Sequence, residues 1–172
     1  MNTLIAILEH TPTVVWAVLA GLVGIGLRQT RTQTLSAGRV WLVPLVAAAA
    51  SLAGAVRGFG GAGELLTGAC WAVGTAIGFA ANRWLDLPRR VVANADGSFT
   101  IGGSAAPLVV LVSIFLVRYA TNVALAIQPT LSNDPAAAAL VAIAYGGTAG
   151  LLVARARKIW STRAARPAPL VA

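Results

Sequence analysis

The chain alternates long uncharged stretches with short clusters of charge, and the spacing of those clusters sets its architecture. Positions 11–27, 40–56, 65–82 and 135–154 hold no Asp, Glu, Lys or Arg, and 106–128 holds only Arg118. A helix rising about 1.5 Å per residue needs roughly 17 to 25 apolar residues to cross about 30 Å of hydrocarbon. Each stretch meets that length. The pattern therefore predicts an all-α membrane protein, a five-helix transmembrane bundle forming a single domain over 1–160, followed by a basic, Pro- and Ala-containing tail over 161–172.

Charge at the ends of the stretches predicts their direction, because Lys and Arg near a span are retained on the cytoplasmic side. The first connection carries Arg28, Arg31 and Arg39, the third Arg83, Arg89 and Arg90, and the tail Arg155, Arg157, Lys158, Arg163 and Arg166. The N-terminal segment has no Lys or Arg, the second connection has only Arg57, and the fourth, around Ser132 to Asp134, has none. The alternation places the N-terminus outside and the C-terminus in the cytoplasm. Trp16, Trp41, Trp84 and Trp160 fall near span ends, where an apolar ring and a polar N–H are both accommodated, whereas Trp71 lies about two turns into the third span. No Lys or Arg precedes the first apolar run, the reverse of a secretory signal peptide, so the first helix is expected to be retained.

Period-2 patterning enters once, in the longest connection. Val91 to Ala93 and Phe99 to Ile101 flank an Asp96-Gly97 pair, which predicts a short cytoplasmic β-hairpin between spans three and four, resting on the bundle. After it, Ser104 is placed to cap span four, with Pro107 in the first turn, where its missing N–H does no harm. Small residues at fourfold spacing, Gly74 with Gly78 and Gly146 with Gly150, together with Gly21, Gly24, Gly26 and the alanines of span two, predict close helix packing within the bundle.

Composition changes the picture in one respect. With 58% apolar and 10% charged residues the chain lies outside the soluble range, so its 13 Lys and Arg against 5 Asp and Glu mark topology rather than nucleic-acid binding. The expected partners are the lipid bilayer and either a second copy or another membrane protein, with no nucleic acid. A lone cysteine, Cys70, excludes an internal disulfide, and no His or Cys cluster suggests a metal or cofactor.

The residue that asks for an explanation is Arg118, near the middle of span four. An arginine there costs about 2.5 to 3.5 kcal/mol on insertion scales, so it is expected to face protein or water. Thr121 and Asn122 share its helical face, and Thr75 and Tyr145 lie at matching depth in spans three and five. These five residues form the candidate polar cluster, read either as the hydrogen-bonded setting of a structural arginine or as an anion site. The five acidic residues, Glu9, Glu64, Asp86, Asp96 and Asp134, all fall in loops or at span ends, which argues against a proton-coupled cation carrier. His10 beside Glu9 offers no base and nucleophile pair, and Gly58 to Gly63 fits G-x-G-x-x-G only formally, since no βαβ unit surrounds it. It is read as a flexible loop, and no enzymatic activity is expected.

Thr11-Pro12, the run from Gly26 to Arg31, and Gly103 to Leu108 leading to Val117-Arg118-Tyr119 resemble an uncharacterised bacterial family of five-span inner-membrane proteins of unknown function. The resemblance implies the topology and a bacterial inner-membrane location, with no substrate or catalytic residue. More distantly, the hairpin and the Ser-Pro-Leu-like start of span four are similar to CcdC-type membrane proteins. Such proteins are associated by name with cytochrome c biogenesis, and because this chain has neither a Cys pair nor a haem motif, that function is not transferred. The expected role is that of a small structural or accessory membrane protein of unknown activity. The alternative is a carrier or binding protein for an anionic solute or lipid that uses Arg118.

Overall fold

The computed structural model describes residues 11–164 apart from positions 86 and 89. Glu9, His10, Asp86, Arg89, Arg166 and the final part of the tail lie outside the described residues. Among the described residues there are five helices: α1 (Thr13–Arg28), α2 (Ala37–Gly58), α3 (Glu64–Leu85), α4 (Ala106–Ile127) and α5 (Pro135–Ala164). The last four are long and apolar enough to cross a membrane. At 16 residues, α1 spans about 24 Å and falls short of that length.

Boundaries differ from the sequence reading mainly where charge ended a predicted span but not the helix. Helix α2 begins at Ala37 and ends at Gly58, so it takes in Arg39 and Arg57. Helix α5 continues to Ala164, ten residues past the predicted span end at 154, and absorbs the first part of the proposed tail. Arginine and lysine are good helix formers, so charge ends a span without ending the helix. Ser104 does not cap α4. The N-cap position is Ala105, with no side-chain cap hydrogen bond, and the Ser104 backbone N–H instead donates to the Gln29 carbonyl at 3.3 Å. Pro107 does occupy the first turn of α4.

The connections α1–α2 and α3–α4 meet at one end of the bundle in a three-stranded antiparallel sheet of order β1-β3-β2. The predicted hairpin supplies β2 (Val91–Ala93) and β3 (Phe99–Ile101). The sequence reading missed β1 (Gln33–Leu35), which pairs Gln33 with Ile101 and Leu35 with Phe99. Three residues of Gln, Thr and Leu after an arginine-rich turn give no periodic signal of their own. The third strand turns a marginal hairpin into a small sheet with one covered face. Phe99 and Ile101 are buried there against Val40 of α2 and Ala156 and Ile159 of α5.

At the hairpin tip the Asn94 N–H donates to the Ser98 carbonyl at 2.8 Å, closing the loop over Ala95, Asp96 and Gly97. Gly97 takes φ +80°, a left-handed value that costs a side-chain-bearing residue but not glycine.

At the opposite end, α2–α3 and α4–α5 are each joined through a short 3-10 turn, Gly60–Ala62 and Pro129–Asn133. The glycine-rich segment read as a flexible loop thus forms a turn. A methyl added at Gly61 would collide with the Asn133 side chain, so the two turns lie against each other.

The core of the bundle is the seam between α3 and α5. A Cβ added at Gly74 would strike the backbone of Ile143, one at Gly78 that of Gly147, one at Gly146 that of Trp71, and one at Gly150 that of Thr75 and Phe79. Four glycines let two backbones touch, the arrangement favoured where helices associate without a hydrophobic driving force. In α1 only Gly26 is used this way, against Leu108, whereas Gly21 and Gly24 have nothing within 4 Å of an added Cβ.

Candidate functional site

Helix α4 brings Arg118 to the groove between α2 and α5. Its Nη2 donates to the Ala50 carbonyl at 2.7 Å, and its guanidinium carbon lies 5.5 Å from the centre of the Tyr145 ring. Gly54, one turn beyond Ala50, leaves room for the guanidinium, since a Cβ there would sit 3.4 Å from Nη2. A carbonyl dipole and an aromatic face therefore take the place of a carboxylate. Both interactions strengthen where water is scarce.

Of the predicted cluster, the structure brings Arg118 and Tyr145 together and separates the rest. Tyr145 is buried, with 6% of its surface exposed. Asn122 is exposed, and its amide donates back to the Arg118 carbonyl at 2.9 Å. It does not line the groove, because a residue four positions on shares a face only approximately and here falls on the outer side. Thr121 returns its hydroxyl to the Val117 carbonyl at 2.8 Å. Thr75 does the same to Trp71 at 2.9 Å, within the α3–α5 seam rather than beside the guanidinium. Equal depth in two helices is no guarantee that they face one another.

The groove holds a cavity of about 130 Å³ lined by Ala47 and Ser51 of α2, Ile114 and Arg118 of α4, and Tyr145 and Thr148 of α5. Ser51 is buried and joins its walls: it donates to the Ala48 carbonyl at 2.9 Å and accepts the Trp71 indole N–H at 3.0 Å. That bond accounts for the one tryptophan placed deep in a span, since a buried indole N–H requires an acceptor.

Toward the sheet end the groove widens into a second cavity of about 210 Å³, which shares Ala47, Ile114 and Leu152 with the first. A third, of about 160 Å³, adjoins it through Gln29, Val43 and Arg155 and reaches Arg31 and Arg39. Sequence reasoning assigned Arg155 to topology and left Asn82 as the last residue of a span. Both line the 210 Å³ cavity, and Arg155 lines the 160 Å³ one as well. Asn82 is 6% exposed, its Nδ2 donates to the Leu87 carbonyl at 3.2 Å, and its Oδ1 has no hydrogen-bond partner among the described residues. A polar residue at the edge of an apolar run was the only signal in the sequence.

Among the described residues no group of three or more His, Cys, Asp or Glu could hold a metal. Cys70 is a half-buried free thiol, packed near Ala55, Ala142 and Tyr145.

A family model described as a family of unknown function, DUF6622, matches residues 1–169. The chain belongs to DUF6622. Membership agrees with the resemblance to an uncharacterised family and assigns this DUF6622 chain no activity. No curated protein and no solved structure matches it. The CcdC-type similarity is not shown by any of these comparisons, and nothing is carried over from it.

Proposed function

We propose that the chain is a non-enzymatic, multi-pass protein of the bacterial inner membrane, structural or accessory in role, with five spans, its N-terminus outside and its C-terminus cytoplasmic. Four helices of spanning length and apolarity support the membrane reading, and the apolar α1, shorter than these, is taken as the fifth span. The sheet end, which carries Arg31, Arg39, Arg90, Arg157 and Arg163, is the cytoplasmic end by the retention of basic residues.

The observation that carries the structural role is the 2.7 Å bond from Arg118 to the Ala50 carbonyl, made while the guanidinium lies over Tyr145. The arginine clamps α4 to the rest of the bundle through groups of the chain itself. Arg118→Lys tests this, since lysine keeps the charge but loses the planar fork. A structural arginine gives a lower melting temperature in lipid or detergent, with or without added anions. A melting temperature equal to the parent protein's would refute the clamp.

The alternative, a carrier or binding protein for an anionic solute or lipid at Arg118, is favoured by the cavity beside it. Under that reading Arg118→Lys leaves the anion-free protein unchanged and weakens only the stabilisation that an added anion gives.

A further inference from the structure

At the sheet end a cationic group and a hydrogen-bond acceptor, each short of a partner, line the same cavity. Arg155 is half-buried on α5 and lines both the 210 Å³ and the 160 Å³ cavities. Among the described residues no carboxylate or hydrogen bond meets its guanidinium. Asn82 of α3 lines the larger cavity too, its carboxamide more than nine-tenths buried and its Oδ1 without a hydrogen-bond partner among the described residues. A buried acceptor left without a donor is costly, and such atoms are rare in folded proteins unless a ligand or water satisfies them. The two groups ask for complementary chemistry: an oxyanion for Arg155 and an O–H or N–H for Asn82.

The surroundings narrow the ligand further. Arg31 and Arg39 line the smaller cavity, which shares Gln29 with the larger. No Asp or Glu among the described residues lines either one. The charge that the described lining residues present is therefore positive, and a zwitterionic headgroup that brings its own cation is disfavoured. Away from Arg155 the larger cavity is walled by Val110, Leu111 and Ile114 of α4 and by Leu151 of α5. A free phosphate or phosphate monoester has no use for such a wall, whereas an acyl chain does. The exposed Leu42, Val43 and Val109 show that apolar surface continues outward from α2 and α4.

We propose that the cleft at Arg155 and Asn82 is a binding site for an anionic phospholipid of the phosphatidylglycerol type. Its phosphate lies on Arg155, a headgroup hydroxyl donates to Asn82 Oδ1, and one acyl chain follows α4. Arg31 and Arg39 at the mouth draw the charge in. Arg118 is the anchor of α4 further along the same groove and takes no part in holding the phosphate. The site rests on the membrane-spanning reading alone, not on the role proposed for Arg118.

Native mass spectrometry of the full chain, released from bilayers of equal phosphatidylglycerol and phosphatidylcholine, tests the proposal. The parent protein is expected to retain phosphatidylglycerol about tenfold over phosphatidylcholine. Arg155→Gln should abolish that preference, Arg155→Lys should keep part of it, and Asn82→Leu should lower it several-fold. Arg157→Gln is the control: Arg157 is exposed on the same helix and lies over Phe79, so its loss should change nothing. Equal losses for Arg157→Gln and Arg155→Gln would overturn the site in favour of diffuse surface attraction. Displacement of the lipid by glycerol phosphate at millimolar concentration would overturn the lipid in favour of a soluble phosphate monoester. Retention of phosphatidylglycerol by both Arg155→Gln and Asn82→Leu would overturn it outright. Protein that fails to enter the bilayer at all would instead reject the membrane reading beneath it.

Discussion

The α3–α5 seam and the attachment of α4 join helices by opposite means. In the seam, Gly74, Gly78, Gly146 and Gly150 bring backbone against backbone, and no side chain is needed to bridge the gap. Helix α4 shows no buried residue along its apolar stretch, packs on α1 where Gly26 meets Leu108, and is tied to α2 and α5 by a few side chains. Arg118 reaches α2 and α5, and Tyr119 shares a 2.7 Å hydrogen bond with Thr11 ahead of α1. The seam is a dense contact with no room to adjust. The α4 attachment leaves cavities along its length and depends on specific polar groups. A rigid unit of α2, α3 and α5 carrying a more weakly bound α4 follows from this difference, and the cleft for a ligand opens on the weak side.

The largest effect is expected in the seam. Gly146→Leu places a branched side chain where even a methyl collides with the Trp71 backbone, and a backbone cannot step aside as a side chain can. Overpacking costs typically 1 to 3 kcal/mol where side chains can shift, and here the loss should exceed about 3 kcal/mol. The protein should melt far lower or fail to accumulate. Gly21→Leu, with nothing within 4 Å of its added Cβ, should melt within a degree or two of the parent. Similar behaviour of the two variants would end the distinction between seam and periphery.

Arg118→Leu comes next. It removes a hydrogen bond to a charged donor, about 1.5 to 3 kcal/mol, and with it the cost of holding a guanidinium in an apolar layer, about 2.5 to 3.5 kcal/mol on insertion scales. The two terms nearly cancel in the stability of the whole bundle. What changes is the tie of α4 to α2, so hydrogen exchange across 106–127 should rise about tenfold while α3 and α5 keep their protection. Equal loss of protection in α3 would show that α4 is part of one cooperative core.

Most of the helical plan was legible because it depends on properties that lie in order along the chain. Uncharged runs of spanning length located α2 to α5, fourfold glycines marked the residues that pack closely though not which helices they join, and an Asp-Gly turn located the hairpin. The arrangement around Arg118 was only half legible. Its depth could be counted, and Tyr145 at the same depth does meet it. Which face of α3 or α4 looks inward depends on how whole helices rotate against one another. Thr75 was therefore assigned to the guanidinium when it belongs to the seam, and Asn122 was turned inward when it is exposed. β1, Asn82 and Arg155 were missed for the same reason, since β1 pairs with a strand more than sixty residues away and Asn82 and Arg155 meet at one cavity only once α3 and α5 are packed. The charged ends of α5 and α2 were read as helix ends because charge stops a span, although it does not stop a helix.

A smaller effect separates the two attachments of α4 from each other. Tyr119→Phe deletes one hydrogen bond, to Thr11, and keeps the ring stacked on Phe115 at 6.0 Å. The expected loss is about 0.5 to 1.5 kcal/mol. Arg118 holds different helices, so the double variant with Arg118→Leu should differ from the parent by the sum of the two single-variant changes, which is close to the Tyr119→Phe loss alone, within about 0.5 kcal/mol. A coupling well above that, in calorimetry of the four proteins, would mean that α4 responds as a rigid lever to either tether.

The smallest effect lies at the hairpin tip, far from both regions, and tests whether the sheet end is independent of them. Asp96 accepts hydrogen bonds from the Ser98 N–H at 3.0 Å and the Ser98 hydroxyl at 2.7 Å. These bonds favour the charged form, and the hydroxyl contact has the larger share in holding the carboxyl below its ordinary range. A carboxylate whose pKa is depressed on folding stabilises the folded form above its unfolded-state value, about 3.9, and loses that contribution as pH falls through the folded value. Acidification below about pH 4 should therefore loosen the Asn94 to Ser98 loop, read as faster amide exchange at Gly97 and Ser98. Asp96→Asn should show the same loosening at neutral pH and no further change on acidification. Neither treatment should alter the exchange of α3 or α4. A pH response that spread into α5 would show that the contact of Arg163 with the loop couples the sheet end to the seam, and the bundle would then have to be treated as one unit from Gly97 to Gly146.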